Sequence, residues 1–292
     1  MSAFSIRPTL FRRLIRKFGQ NDAKRQLQWL KKEWLLLEKQ QRPSLAGQIG
    51  RLLRDEPLAY VIGNQPFGPL NLRVTPPVLI PRPETEEWTY ELLDRLSKTK
   101  SETKEWKILD MCTGSGCIPL LLCNEWPSHL GEEVSAYGID IGDEAISLAQ
   151  ENSRRVLKDS IASPSFKPMK FDVFSKGFAQ WISDTGPFDV VTSNPPYIPE
   201  KDWDSLPAAV KYEDRRALEG GKDGLIFYRQ IAELLTKTPL LRLGGWLAVE
   251  FGIHQAEDVR AILEGSGVLD QVDIWTDCFG VQRVAFCRKR IA

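Results

Sequence analysis

From about residue 84 onward the chain alternates between helix-period and strand-period segments, and this alternation restricts the fold more than any other feature. "ETEEWTYELLDRLSK" reads as a helix, "WKILDM" as a strand, "CIPLLLCNEW" as a helix, "VSAYGID" as a strand and "DEAISLAQENSRRVL" as a helix. Strands follow near "FKPMKFDVF" and "FDVVTSN", then a helix in "DGLIFYRQIAELLTKT", a strand in "GGWLAVEFG" and a helix in "HQAEDVRAILEGS". The spacing predicts an α/β fold with a mostly parallel sheet covered by helices on both faces. Two consecutive strands, "QVDIWTD" and "QRVAFCR", predict an antiparallel edge at the end. There are no internal repeats.

Residues 1–65 have a different texture and read as a small helical domain. Asn21 or Asp22 is placed to cap a helix whose apolar face is Leu27, Leu30, Trp34 and Leu37. Gly63-Asn64 and Gly68-Pro69 then punctuate short β-like runs, which predicts a hairpin linker over 66–83 and an α/β domain over 84–292.

In such a sheet, ligands bind at the carboxyl ends of the strands. The first strand runs into "LDMCTGSGC", where Cys112, Thr113, Gly114, Ser115 and Gly116 connect strand to helix. Glycines there permit a tight turn and close approach of a ligand, although a purely structural turn reads the same way. The spacing is neither the dinucleotide fingerprint nor a phosphate loop, which suits a ligand without a pyrophosphate. Asp140 ends the second strand, where an acid can accept hydrogen bonds from two ribose hydroxyls. Asp143 is placed to cap the next helix, leaving Asp140 free. Asp172 ends the third strand and, with the backbone near Val173, can meet an adenine edge.

The fourth strand delivers "SNPPYIP" into the same crevice. Asn194 offers an acceptor and two donors, Pro195 and Pro196 stiffen the corner and leave a carbonyl available, and Tyr197 adds a flat face. Together they can grip a planar NH2 group whose lone pair is delocalised. Fixing such a nitrogen in line with an electrophilic methyl group favours methyl transfer by orientation and electrostatics. The sulfonium of S-adenosylmethionine also gains from a nearby ring face.

Charge limits the alternatives. Thirty-nine basic and 39 acidic side chains leave a formal net charge of zero, unlike a strongly basic nucleic-acid binder. Five cysteines without a CxxC pair argue for reduced thiols, and two histidines argue against a histidine-rich metal site. No apolar run approaches the ~20 residues needed to span a bilayer. The first twenty residues contain five basic side chains and no acid, which fits either a mitochondrial transit peptide or a basic first helix.

The motifs together resemble the HemK/PrmC family, the protein-(glutamine) N-methyltransferases that modify the GGQ motif of class I peptide-chain release factors. The resemblance runs through "QPFGPLNLRVTPPVLIPRPETEEW", "ILDMCTGSGCI", "SNPPYIP", "YEDRRALEGGKDGLIFYRQI", "GGWLAVEFGIHQ" and "DCFGVQRVAF". "NPPY" alone is shared with adenine DNA methyltransferases; "IPRPETE" is more specific. The resemblance implies a Rossmann-like class I S-adenosylmethionine-dependent methyltransferase domain with a seven-stranded sheet, and a helical domain that binds the release factor. It implies that Asn194 and the Pro195 carbonyl hold the glutamine amide, with Pro196 and Tyr197 beside it. It implies that the 112–116 loop, Asp140, Asp172, Val173 and Asn194 line the cofactor site, and that Arg82, Glu84, Thr85 and Glu86 shape its rim.

Two positions depart from the family pattern. Cys112 stands where glycine is usual and is expected to hold a negative φ. Asp214 stands where proline is usual and is expected to loosen its loop. The overall form is most like fungal mitochondrial members, which points to the mitochondrial matrix, or to the cytoplasm if the basic start is only a helix. The partner implied is the GGQ domain of a class I release factor, with neither a membrane nor a direct nucleic-acid substrate. The competing expectations are an adenine-amine methyltransferase, a glutamine methyltransferase acting on a ribosomal protein, and a binding module without activity.

Overall fold

The computed structural model describes residues 6–99, 105–130, 133–158 and 164–291; residues 1–5 of the arginine-rich start lie outside these. Near the amino end, α1 (Pro8–Phe18) and α2 (Gln20–Leu36) meet at one residue, Gly19, whose φ of +79° suits a glycine. α3 (Leu45–Leu52) and α4 (Leu58–Ile62) close against them. Leu14, Ala23, Leu27, Leu30, Ile49, Leu52 and Val61 form one small core. The expected cap at Asn21 or Asp22 is not made. The corner is so short that α2 begins before either residue, and Asp22 pairs with Arg25 instead. Leu37 lies beyond the helix end and is partly exposed, while Ala23 completes the buried face.

A hairpin follows, β1 (Asn64–Phe67) with β2 (Leu70–Arg73), turning at Gly68-Pro69. It begins two residues earlier than the sequence suggested. α5 (Pro83–Ser97) starts with proline in its first turn, where the missing N–H costs nothing.

The α/β part runs β3 (Glu105–Met111), α6 (Cys117–His129), β4 (Glu133–Asp140), α7 (Asp143–Leu157), β5 (Ser165–Lys170), α8 (Lys176–Thr185) and β6 (Phe188–Ser193). It continues through α9 (Ile226–Lys237), β7 (Leu241–Glu250), α10 (Ala256–Gly265), β8 (Asp273–Thr276) and β9 (Gln282–Arg288). The sheet order is β5-β4-β3-β6-β7-β9-β8. β3 to β7 pair in parallel, and β9 runs antiparallel between β7 and β8. α8 was not anticipated. It is short and fully buries Phe178 and Ile182, with Ala179 and Trp181 packed against the same core, and Ser175 caps it.

Alternate strand residues feed opposite faces. Leu109, Val191 and Leu247 join Phe178, Tyr228, Ile231 and Val259 on one side. Ile108, Val190 and Ala248 join Trp88, Leu92, Leu121 and Trp126 on the other. Chain order reverses between β3 and β6, which opens a crevice at their carboxyl ends.

Candidate active site

A cavity of about 440 Å³ occupies that crevice. Its size is within the roughly 300–1,000 Å³ usual for small-molecule sites. Cys112, Gly114, Asp140, Asp172, Val173, Asn194 and Pro196 all line it. Segments separated by tens of residues in sequence therefore converge as the strand ends predicted.

The glycine loop begins with a correction. Cys112 has φ +61°, in the left-handed region, not the negative value expected. The loop keeps the shape a glycine would adopt because its bonds demand it. Thr113 N–H donates to the Ile139 carbonyl at 2.9 Å, and Gly114 N–H donates to Asp140 Oδ2 at 2.9 Å. Holding a side chain there costs roughly 1–2 kcal/mol. Thr113 and Ser115 are buried and do not line the cavity. Gly116 caps α6 at φ +80°, and a Cβ there would sit 2.8 Å from the Phe166 ring. These three residues build the turn, and Cys112 and Gly114 present it.

Asp140 is not free in the sense expected. Its Oδ1 accepts from Gly142 N–H and its Oδ2 from Gly114 N–H, both at 2.9 Å. Asp143 makes no cap and pairs with Lys170 at 2.6 Å. Asp140 thus ties the two loops together. Each carboxylate oxygen can still accept a second hydrogen bond, so the residue keeps capacity for a diol. Burial pushes its carboxyl up, against the opposing pull of the Gly142 and Gly114 N–H groups.

Asp172 lies two residues beyond β5 and turns the chain by accepting from Phe174 N–H at 2.9 Å. The Val173 carbonyl accepts from Gln230. Phe174 and Phe227, which the sequence reading missed, pack edge to face 5.1 Å apart in the cavity wall. An aromatic two residues after Asp172 was the signal the sequence offered.

At the corner, Ser193 donates to the Met111 carbonyl at 2.8 Å. Asn194 is half-buried, and its Nδ2 donates to Thr85 Oγ1 at 3.2 Å. Pro195 and Pro196 are buried. Tyr197 packs against the core beneath, and its carbonyl accepts from Gln255 Nε2 at 2.9 Å. Ile198 is pinned by paired bonds, its N–H to Leu218 and its carbonyl from Gly220. Of the corner, Asn194 and Pro196 line this cavity, and Pro195 and Tyr197 are not part of its lining.

None of the four rim residues expected from "IPRPETE" lines the cavity, and two of them bond to residues that adjoin or line it. Arg82 Nη2 donates to both oxygens of Glu213 at 2.7 Å. Thr85 contacts Asn194 as above. Glu84 and Glu86 sit in the first turn of α5, where acids suit the helix dipole, and do not line the cavity. Below Thr85 lies Glu250, a buried acid at the end of the apolar strand β7. Burial pushes its carboxyl up, opposed by donors from Trp88 and Thr85.

Asp214 gives a second correction. Its N–H donates to the Pro77 carbonyl at 2.6 Å, a bond no proline can make. Its carboxylate accepts from Arg216 N–H at 2.9 Å and pairs with the Arg216 guanidinium. The substitution fastens the loop to the segment at 77–79 on the opposite lip, and does not loosen it.

These residues fit S-adenosylmethionine by donor set and shape. Asp140 retains acceptor capacity for a diol, the Phe174–Phe227 wall suits a flat base, and the glycine turn permits close approach. Among the described residues no group of three His, Cys, Asp or Glu side chains could hold a metal ion. No described helix is long and apolar enough to cross a membrane.

Comparison with known proteins identifies the chain's relatives. A family model described as N-6 DNA methylase matches residues 87–238. A release factor glutamine methyltransferase of Geobacter sulfurreducens is 36% identical over 237 residues, covering 81% of this chain and 72% of the relative. One of Bacillus anthracis is 35% identical over 249 residues, covering 85% of this chain and 81% of the relative. One of Vibrio cholerae is 35% identical over 233 residues, covering 80% and 73%. Among solved structures, a methyltransferase from Pyrococcus furiosus aligns with TM-score 0.51 at 17% identity, over 85% of this chain and all of that one, which supports the fold.

Proposed function

The chain belongs to the release factor glutamine methyltransferase family, and from that premise we propose that it methylates the side-chain amide nitrogen of the glutamine in the GGQ motif of a class I peptide-chain release factor. It is an S-adenosylmethionine-dependent methyltransferase. The observation that carries the reading is Asn194. Its amide donor is engaged by Thr85 while the residue lines the same cavity as Asp140 and Asp172. That leaves Oδ1 to accept from a substrate NH2 group.

In this reading Asn194 Oδ1 takes one hydrogen of the glutamine amide and the Pro195 carbonyl takes the other. The amide plane is then fixed, with Tyr197 backing the corner. Asp140, Asp172 and the Val173 backbone hold the adenosine part of the cofactor, and the Cys112–Gly116 turn supports the rest. Bound there, S-adenosylmethionine supplies the electrophilic methyl group. The helical residues 1–65 receive the release factor.

An amine of adenine is also a planar NH2 group, and the match to the N-6 DNA methylase model favours that second reading. The zero net charge and the named relatives favour glutamine. Mass spectrometry of purified class I release factors, incubated with the protein and labelled S-adenosylmethionine, separates the two. One methyl group on the GGQ glutamine is the expected result; label only in nucleic acid, or only on a ribosomal protein, overturns it.

The compartment belongs to the same proposal. The acid-free, arginine-rich first twenty residues support the mitochondrial matrix. Because Leu14 is buried in the helical core, we place any processing cut ahead of Pro8. Import into isolated mitochondria checks this.

A further inference from the structure

Beneath the corner lies a short chain of polar groups that the proposed reaction does not by itself explain. Thr85, in the first turn of α5, is 1% exposed, and Glu250, the last residue of β7, is 2% exposed. Glu250 Oε2 accepts two hydrogen bonds, from Thr85 Oγ1 and from Trp88 Nε1, each at 2.7 Å. An indole N–H only donates and a carboxylate only accepts. With Glu250 ionised, the single hydroxyl proton of Thr85 is committed to it. What Thr85 Oγ1 has left is lone pairs, and Asn194 Nδ2 donates to them at 3.2 Å.

The consequence falls on Asn194. A side-chain amide has a donor end and an acceptor end, and its terminal torsion has two broad wells related by a half-turn. With Thr85 able only to accept, one well makes a hydrogen bond and the other sets two oxygens against each other. The favoured well turns Oδ1 away from Thr85. The disfavoured well would present an NH2 group to an NH2 group, which grips nothing.

We propose that Glu250 and Thr85 are positioning residues that set the orientation of the Asn194 amide, so that its oxygen is presented to the amide of the substrate. The inference rests on the reading that Asn194 holds that amide. It adds that the grip has a polarity, imposed by a buried carboxylate two side chains away. Trp88 strengthens the device by engaging the same oxygen from a fully buried ring. The other charged side chains acting on Glu250 are Arg283 and Glu84. Arg283 is itself held by Asp277 at 3.2 Å, and among the described residues no ion pair to Glu250 diverts it from Thr85.

The test uses Thr85→Val, Thr85→Cys and Thr85→Ser in the full chain, with a purified class I release factor and S-adenosylmethionine. Steady-state kcat, KM for the release factor and the calorimetric cofactor Kd are measured for each. Valine keeps the shape but removes the relay. It should lower kcat at least about tenfold, the scale of one hydrogen bond, while cofactor Kd stays within about twofold. Serine keeps the hydroxyl and should restore kcat to within about twofold of the original. Cysteine, a weak donor and acceptor, should fall between. A valine variant with unchanged kcat overturns the inference, and so does a serine variant as impaired as valine. If the valine variant fails to bind cofactor and so has not folded, the serine–cysteine pair decides, and equal kcat for those two overturns the inference. Failure of the functional reading looks different: the unaltered protein then leaves the release factor unmethylated.

Discussion

Asn194→Ala removes the side chain that links Thr85 to the cavity, and it should lower kcat at least about a hundredfold, the scale of losing a preorganised transition-state contact. Cofactor binding should survive, as a titration of the variant will show. Asp140→Ala should act the other way round. It removes the acceptor shared by Gly114 and Gly142, so the cofactor Kd should rise about tenfold to a hundredfold in calorimetry. Another acid, Asp110, is fully buried under the glycine loop, where Thr192 donates to it at 2.7 Å. Burial pushes its carboxyl up to about 7, from an ordinary 3.8. The folded protein then keeps a proton that the unfolded chain releases near pH 4. Between these values the folded state binds more protons, so stability falls as pH rises from about 4 to about 7. Asp110→Asn should flatten that slope in urea midpoints measured across the window.

At the scale of elements, loops and short helices carry what the strands only aim. The segment around Asp214 crosses the mouth of the cavity and is fastened to the 77–79 segment by the Asp214 N–H. Asp214 has φ −62° and ψ 127°, and Glu213 before it has φ −86° and ψ 156°. Both suit an X-Pro dipeptide. Asp214→Pro therefore leaves the backbone unstrained and removes the donor and the carboxylate. We expect a loss of about 1 kcal/mol and roughly fivefold faster cofactor release in stopped-flow displacement. Asp214→Ala retains the N–H and should change release less. The sequence misled here because aspartate for proline reads as a loss of stiffness, whereas the backbone donor it restores finds a partner.

Across the whole molecule, the helical residues, the linker and the catalytic part are tied to one another. Tyr60 donates to the Val78 carbonyl at 2.6 Å, Tyr212 donates to the Arg54 carbonyl at 2.8 Å, and Arg82 bridges to Glu213. Glu213 is 4% exposed, and burial pushes its carboxyl up despite Arg82. Arg82→Ala leaves that charge buried without its partner and should cost about 3 kcal/mol in urea unfolding. The same variant should raise KM for the release factor more than it raises cofactor Kd, since it loosens the linker that connects the helical residues to the catalytic part.

Periodicity and punctuation alone determined the α/β class, the near-parallel sheet, the crevice at its strand ends, and the presence there of Gly114, Asp140 and Asn194. Those are local properties: alternation sets which face is buried, and glycine or proline sets where the chain turns. What the tertiary structure decided is how distant segments complete each other. Thr85 reaches Asn194 across 109 residues, Glu250 reaches Thr85 across 165, and Arg82 reaches Glu213 across 131. The positive φ of Cys112 belongs with them, because the bonds from the loop to Ile139 and Asp140 impose it. No spacing rule encodes such pairings. They arise from packing the helices onto the sheet, which leaves each buried polar group to find its partner in whatever segment the fold brings alongside.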